Sequence, residues 1–167
     1  MAGTFDTIFL RCLGNVPGSR VLTGLVRGDH SVVLSRTTEE DGAVWRRGIS
    51  QSGKNWNLEC LGSPPAGVNP GHLFLFGGND GGVIITPKDQ TGGHPQVWHA
   101  EQTPSGAFTL ENVALRDAGF KNRFLDGRTV QGDVVLSPGT KPPFTGTHWE
   151  IIPASFHGDN VAIPVSE

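Results

Sequence analysis

Short apolar runs, separated by glycine, proline and small polar residues, follow one another along the chain. One of these runs occurs three times, as Val21-Leu22-Thr23-Gly24, Phe74-Leu75-Phe76-Gly77 and Phe124-Leu125-Asp126-Gly127. A second run, rich in valine and isoleucine or leucine, follows each of them, and a tryptophan closes each copy at position 45, 98 or 149. The copies recur every 50 to 53 residues, and such a period is typical of an internal structural repeat.

Each copy contains four apolar runs with turn residues between them. In copy one the runs are Ile8–Leu13, Val21–Leu25, Ser31–Leu34 and Val44–Ile49. No segment has the 3.6-residue period of a helix, and Gly and Pro recur too often for one. The pattern therefore predicts an all-β chain of twelve short strands. The glycine-rich segment Gly77–Gly82 is predicted to be a hairpin turn.

A four-strand copy cannot bury its own apolar face, whereas three copies around a common axis bury one another's. We therefore predict a single domain, residues 1–167, with a β-trefoil architecture: six strands form a barrel and three hairpins cap one end. The three pseudo-threefold repeats span about residues 7–54, 55–106 and 107–153, and residues 154–167 form a C-terminal tail.

Equivalent apolar residues in the three copies are predicted to form the core. They are Leu10, Leu58 and Leu110; Leu22, Leu75 and Leu125; Leu34, Ile85 and Leu136; and Trp45, Trp98 and Trp149. Trp56 has no counterpart in the other copies. Its strand parity with Leu58 predicts inward packing rather than a ligand platform. Cys12 and Cys60 also share parity with core leucines, so both thiols should face the core as small hydrophobes, and a disulfide would require Cα atoms within about 7 Å.

Charge and hydropathy narrow the range of partners. The formal net charge of −3 has interspersed signs, which argues against a nucleic-acid surface. No apolar run approaches the ~20 residues of a membrane-spanning helix, and the N-terminus shows no secretory signal. We expect a cytoplasmic protein with no nucleic-acid or membrane partner, and secretion by a non-classical route is the alternative left open.

The third copy carries motifs of a known family. Leu125-Asp126-Gly127, the glycine turn at Gly132, the strand Val134-Val135-Leu136 and the aromatic residue Trp149 together resemble a ricin-B-type lectin repeat. That family has a Leu-Asp pair early in the repeat and a Gln-x-Trp near its end, and Gln96-Val97-Trp98 retains the second motif. The resemblance extends from about Phe9 to Pro153 and implies a non-catalytic carbohydrate-binding protein.

The resemblance also implies where a sugar would bind. In such lectins an Asp accepts hydrogen bonds from neighbouring sugar hydroxyls and an aromatic ring stacks on the sugar, and a carboxylate can accept bidentately. Only copy three retains the Asp, as Asp126. Phe144 is the nearest candidate for the ring, His148 is a polar partner, and Arg128 completes the candidate site. The expected partner is a glycan or glycoprotein, and a one-site lectin would cross-link cells only as a homodimer.

A protease inhibitor is the alternative function, because β-trefoil inhibitors insert a rigid loop into an enzyme cleft. The candidate loops are Asn15–Arg20 and Gly62–Gly71, and Arg20 or Arg123 could fill a trypsin-like specificity pocket. A cytoskeletal cross-linker of the fascin kind is disfavoured, because only one trefoil is present.

An enzyme is the least favoured class. The sequence has no recognisable motif that would place a Ser, a His and an acidic residue around a catalytic nucleophile. It also has no phosphate-binding Gly-x-x-x-x-Gly-Lys loop. His94 and His99 lie in opposite strand parity around Trp98, which disfavours a shared metal. We expect no catalytic residue, no metal and no cofactor.

Overall fold

The computed structural model describes residues 4–15, 17–63, 72–88, 95–156 and 162–164. Within these ranges the chain forms thirteen strands, and the all-β prediction is confirmed. The strands are β1 (Thr4–Cys12), β2 (Val21–Gly24), β3 (Val32–Ser35), β4 (Trp45–Ile49), β5 (Asn55–Cys60), β6 (Leu73–Gly77), β7 (Val83–Pro87), β8 (Trp98–Gln102), β9 (Phe108–Asn112), β10 (Phe124–Arg128), β11 (Asp133–Ser137), β12 (Trp149–Phe156) and β13 (Ala162–Pro164).

Six strands close into a ring of antiparallel pairings. The order around the ring is β1, β4, β5, β8, β9 and β12, and β12 pairs with β1 again. The closing contact between β9 and β12 places Trp149 opposite Phe108. Closure of a sheet on itself leaves no exposed edge on these strands.

Three hairpins, β2–β3, β6–β7 and β10–β11, are attached to the ring through β1, β5 and β9. They bond to one another in a cycle of three backbone hydrogen bonds. The amide of Leu34 donates to the carbonyl of Gly132 (2.8 Å), that of Ile85 to His30 (2.9 Å), and that of Leu136 to Gly81 (3.0 Å). Each hairpin thus donates to the turn of a different one.

The core lies where the ring meets the hairpins. Every residue of the predicted core layers is buried, and all three repeated tryptophans are 0% exposed. Each indole N–H donates to a leucine carbonyl on a hairpin: Trp45 to Leu22 at 2.9 Å, Trp98 to Leu75 at 3.1 Å and Trp149 to Leu125 at 3.1 Å. Each tryptophan therefore joins its hairpin to the ring.

Both cysteines are buried, as strand parity predicted, and the structure shows them as free thiols. The thiol of Cys12 lies 3.4 Å from the carbonyl of Gly146, and the thiol of Cys60 lies 3.5 Å from that of Gly42. At the end of β9 the Nδ2 of Asn112 donates in the same way to Pro95, at 2.9 Å. The strands β1, β5 and β9 therefore each end in a side chain that donates to a backbone carbonyl. The donor is a thiol in β1 and β5 and an amide in β9.

The structure also tests the predictions for Trp56, for the glycine-rich turn and for helical segments. Trp56 is 3% exposed, as predicted, and its ring contacts that of Phe108. Gly78–Gly82 joins β6 to β7, which confirms the predicted hairpin turn. A short helix, α1 (Val113–Asp117), was not predicted. Its N-cap is Asn112, whose Oδ1 accepts from the amide of Leu115, and five residues are too few to display a helical period.

The end of the chain extends the sheet. β12 continues past residue 153 to Phe156, and β13 pairs with it. No helix within the described ranges is long and apolar enough to cross a membrane.

Candidate functional site

A hollow of about 370 Å³ lies beside the third hairpin. Three of the four predicted site residues line it: Asp126 and Arg128 on β10, and Phe144 in the segment before β12. His148 is not among the lining residues, and its half-buried ring lies 3.4 Å from the hydroxyl of Thr147. The structure therefore brings together the carboxylate, the guanidinium and the aromatic ring, without the imidazole.

Asp126 forms a recessed wall of this hollow and is only 7% exposed. Its Oδ2 accepts a hydrogen bond from the hydroxyl of Ser137 on the facing strand. Its other oxygen lies close to Gly146, where an added Cβ would be 2.5 Å from Oδ1 and 1.9 Å from the carbonyl of Gly127. Only glycine at position 146 leaves room for the carboxylate and the β10 backbone.

Burial is the main influence on the Asp126 carboxyl and raises its pKa, because desolvation disfavours the charged form. The hydrogen bond from Ser137 and the charge of Arg128 act in the opposite direction, and the charge of Asp133 adds to the rise. The net pKa lies above the ordinary value of 3.8.

A polar pair at this place is partly a feature of the hairpin itself. In the first hairpin, Thr23 and Ser35 occupy the equivalent positions, and their hydroxyls lie 2.7 Å apart. A threonine hydroxyl thus satisfies the serine there without a charge. The carboxylate in the third hairpin adds an anionic acceptor that the packing of the fold does not require.

Arg128 is held at the rim of the hollow by Asp133 rather than by Asp126. Its Nε donates to Oδ1 of Asp133 at 2.8 Å, and its Nη2 donates to Oδ2 of the same carboxylate. Arg123, also near in sequence, donates to Glu111 at 2.5 Å. Neither guanidinium occupies the Asp126 carboxylate through an ion pair.

Phe144 is half-buried at the opposite rim, at the start of the 3₁₀ turn Thr145–Thr147. Its amide donates to the carbonyl of Lys141 (2.9 Å), and its carbonyl accepts from the hydroxyl of Thr147 (2.8 Å). The buried Thr147 occupies the place that Gln96 has in the second copy, and Gln96 donates to Thr86 and Pro87. The glutamine of the Gln-x-Trp motif therefore has a structural role in this chain, because its hydrogen bonds hold β7.

Sequence reasoning did not assign a role to several polar residues of the hollow. The hydroxyl of Ser137 donates to the carboxylate of Asp126. The diagonal pairing of positions 126 and 137 across a hairpin was the signal that could have identified it. The remaining lining includes Thr129, Gln131 and Thr145.

The residues proposed for protease inhibition lie elsewhere. The guanidinium of Arg20 donates to the carbonyls of Gly14 (2.7 Å) and Cys12 (3.2 Å), so it lies back against its own loop. Arg123 bonds Glu111 and the carbonyl of Phe120. Residues 64–71 of the second candidate loop lie outside the described residues, as does His94.

In the part of the chain that the structure describes, no three histidine, cysteine, aspartate or glutamate side chains cluster closely enough to hold a metal ion. No model of a known protein family matches this chain, and no curated protein matches it significantly. The geometry of the hollow is therefore the basis for a functional assignment.

Proposed function

We propose that the chain is a β-trefoil that binds carbohydrate, without catalysis, in the hollow beside Asp126. Three features support the fold: the closed ring of six strands, the cycle of hydrogen bonds among three hairpins, and the repeated indole–carbonyl bonds. Each predicted repeat contributes two strands to the ring, one hairpin to the cycle and one indole–carbonyl bond. Twelve of the thirteen strands then form three repeats of four, and β13 belongs to the C-terminal tail.

The observation that carries the functional proposal is a recessed carboxylate and an aromatic ring lining the same hollow. Small-ligand sites are concave, commonly 300–1,000 Å³, with a few polar groups that fix orientation. The hollow, at about 370 Å³, falls at the lower end of this range, which is suitable for a single sugar unit. A carboxylate accepts hydrogen bonds from two hydroxyls at once.

In the proposed complex, Asp126 accepts from sugar hydroxyls while Ser137 holds the carboxylate in place. Phe144 contacts the apolar C–H face of the sugar, and Arg128 contributes a donor at the rim. The first and second hairpins have Thr23 and Phe76 in place of Asp126, so the proposed site is single.

Glycan-array binding tests this function with three proteins: the wild type, Asp126→Asn and Phe144→Ala. We expect a restricted set of bound glycans, lost in Asp126→Asn and reduced at least tenfold in Phe144→Ala. Phe120→Ala is the control, since Phe120 is also a partly exposed phenylalanine and does not line the hollow. An array with no bound glycan would contradict the function, and binding that survives both site substitutions would contradict the site.

Protease inhibition is the second candidate, and one observation favours it. The bonds from Arg20 to Gly14 and Cys12, with that from the amide of Ser19 to Thr129 (3.1 Å), fix the end of the first candidate loop. A pre-ordered loop loses little entropy on binding. The same bonds turn Arg20 away from a specificity pocket, so a papain-like enzyme fits this loop better than a trypsin-like one. Stoichiometric inhibition of papain, unaffected by Asp126→Asn, would favour this function.

A further inference from the structure

A second surface of the molecule combines an exposed aromatic ring with an amide side chain that has no hydrogen-bond partner among the described residues. Phe5 on β1 lies opposite Gly48 on β4, and Gly48 lies opposite Asn57 on β5. A Cβ at position 48 would be 2.4 Å from Oδ1 of Asn57 and 3.2 Å from Cε1 of Phe5. Because Gly48 has no side chain, its backbone forms a floor over which the side chains of Phe5 and Asn57 approach each other.

The Phe5 ring is open to solvent on this floor, with 68% of the residue exposed. Two hollows adjoin it, of about 190 Å³ and about 350 Å³, and both are lined by Phe5 and Asn57. We call this pair of hollows the Phe5 groove. Its two ends together have room for more than one ring of a ligand.

The side-chain amide of Asn57 makes no hydrogen bond to any residue that the structure describes. An amide offers two donors and an acceptor oxygen. Next to an exposed ring, such a group is suited to vicinal hydroxyls on a sugar whose C–H face contacts the aromatic ring. The smaller hollow adds Ser50 and Asn55, which are also uncharged.

The larger hollow is cationic. Arg46 lies 3.5 Å from the nearly buried Glu59, whose other oxygen lies 2.5 Å from His72. Lys88 has no acidic partner within 4 Å among the described residues, and its ammonium lies 5.3 Å from the centre of the Phe74 ring. With one carboxylate between two permanent cations, the hollow carries net positive charge and would favour an acidic group.

We propose that the Phe5 groove binds an acidic oligosaccharide. One sugar lies on Phe5 and hydrogen-bonds Asn57, while its carboxylate-bearing neighbour lies toward Lys88 and Arg46. This second site is separate from the hollow beside Asp126 and does not depend on it.

The test is a titration monitored by ¹H–¹⁵N correlation NMR of the full chain. The probes are two matched pairs: 3′-sialyllactose with lactose, and tri-galacturonate with its full methyl ester. We expect the amides of Gly48, Asn57 and Lys88 to shift with at least one acidic probe, which binds at least tenfold more tightly than its uncharged match.

Substitutions assign the shifts to the groove. Phe5→Ala, at an exposed position, should weaken acidic-probe binding at least tenfold, and Lys88→Gln should remove the preference for the acidic member. Gly48→Ala, which displaces Asn57, should act like Phe5→Ala, while Phe120→Ala should bind as the wild type does. Asp126→Asn, which removes the other proposed site, should leave the shifts of Gly48, Asn57 and Lys88 in place. The proposal is overturned if neither acidic probe shifts these amides, if Phe5→Ala binds normally, if charge makes no difference, or if Asp126→Asn abolishes the shifts.

Discussion

At the scale of single residues, three hairpin turns each place one residue in the left-handed region: His30 (φ 64°), Gly81 (φ 85°) and Gly132 (φ 79°). Their carbonyls accept the hydrogen bonds that link the hairpins. Of these three residues, only His30 is not a glycine, and the left-handed conformation costs a residue with a side chain about 1–2 kcal/mol. Its own side chain is exposed, so it contributes little packing in return.

His30→Gly should therefore stabilise the protein by about 0.5 kcal/mol, because relief of the backbone cost exceeds the extra chain entropy of glycine, about 0.5–1 kcal/mol. Urea denaturation measures the free energy of unfolding. Gly132→Ala is the matched reverse, with room for the added methyl group, and should lose about 1 kcal/mol. A destabilised His30→Gly protein would contradict the equivalence of these turns.

Asp126 gives the stability a specific dependence on pH. Its pKa is raised by burial, so the folded state holds the proton more firmly than the unfolded state does. The carboxyl is tolerated best below its ordinary pKa, and its ionisation opposes folding as the pH rises through the raised pKa. Asparagine has no such titration and can still accept from Ser137.

The free energy of unfolding of Asp126→Asn, relative to the wild type, should therefore increase from pH 4 toward neutrality and then level off. Urea denaturation over this range measures the difference. A difference that is flat, or that falls as the pH rises, would show that burial does not dominate at this carboxyl. The affinity for a sugar that needs the ionised carboxylate should fall as the pH is lowered through the raised pKa of Asp126.

The two thiols are a second consequence of burial. Desolvation raises the pKa of Cys60 to about 12 and also raises that of Cys12. Because the thiolate is the reactive form, neither cysteine should react with Ellman's reagent in the folded protein at pH 8 within minutes. Both should react at once in 8 M urea. Rapid reaction of one thiol without denaturant would place that strand end at the surface.

At the scale of elements, each hairpin is joined to the ring by one tryptophan. The indole–carbonyl distances, 2.9 to 3.1 Å, are nearly the same in all three places. Replacing the indole by a phenyl group leaves a cavity and an unsatisfied buried carbonyl, and the latter costs about 1–3 kcal/mol.

Trp45→Phe, Trp98→Phe and Trp149→Phe should each destabilise the protein by about 2–4 kcal/mol, with values that agree within about 1 kcal/mol. Chemical denaturation of the three variants measures this. The matched result would support three equivalent repeats. A single tolerated substitution, beside two costly ones, would contradict them.

The strands and the core were predictable because equivalent apolar residues recur at a fixed period and alternate along each strand. Leu22, Leu75 and Leu125 are all 0% exposed for this reason. The helix α1 was not predictable, since it is shorter than the pattern that would identify it. The bond between Asp126 and Ser137 depends on cross-strand register, which a turn glycine alone does not fix.

The candidate site was predictable only in part. Phe144 and His148 are close in sequence to the Trp149 strand, and both were expected in the site. The 3₁₀ turn Thr145–Thr147 lies between them, with Thr147 buried, and only Phe144 lines the hollow. The position of Phe5 near Asn57 was not predictable, because it depends on the pairing of β1 with β4 and of β4 with β5.

At the scale of the whole molecule, the ring and its three hairpins share one buried core, and the hairpins differ in the polar groups they carry. The equivalents of Asp126 are Thr23 and Phe76, and neither carries a charge. The leucines and tryptophans that recur in the sequence account for the packing of the core, while in our proposal the carboxylate of Asp126 binds the ligand.

A crystal structure of the protein soaked with the smallest sugar bound on the array tests this claim most directly. We predict density for one sugar between Asp126 and Phe144, with a sugar hydroxyl within hydrogen-bond distance of the carboxylate and nothing bound at the equivalent places beside Thr23 and Phe76. A sugar bound equally at all three places, or an empty hollow beside Asp126 in a crystal that holds the sugar elsewhere, would contradict it.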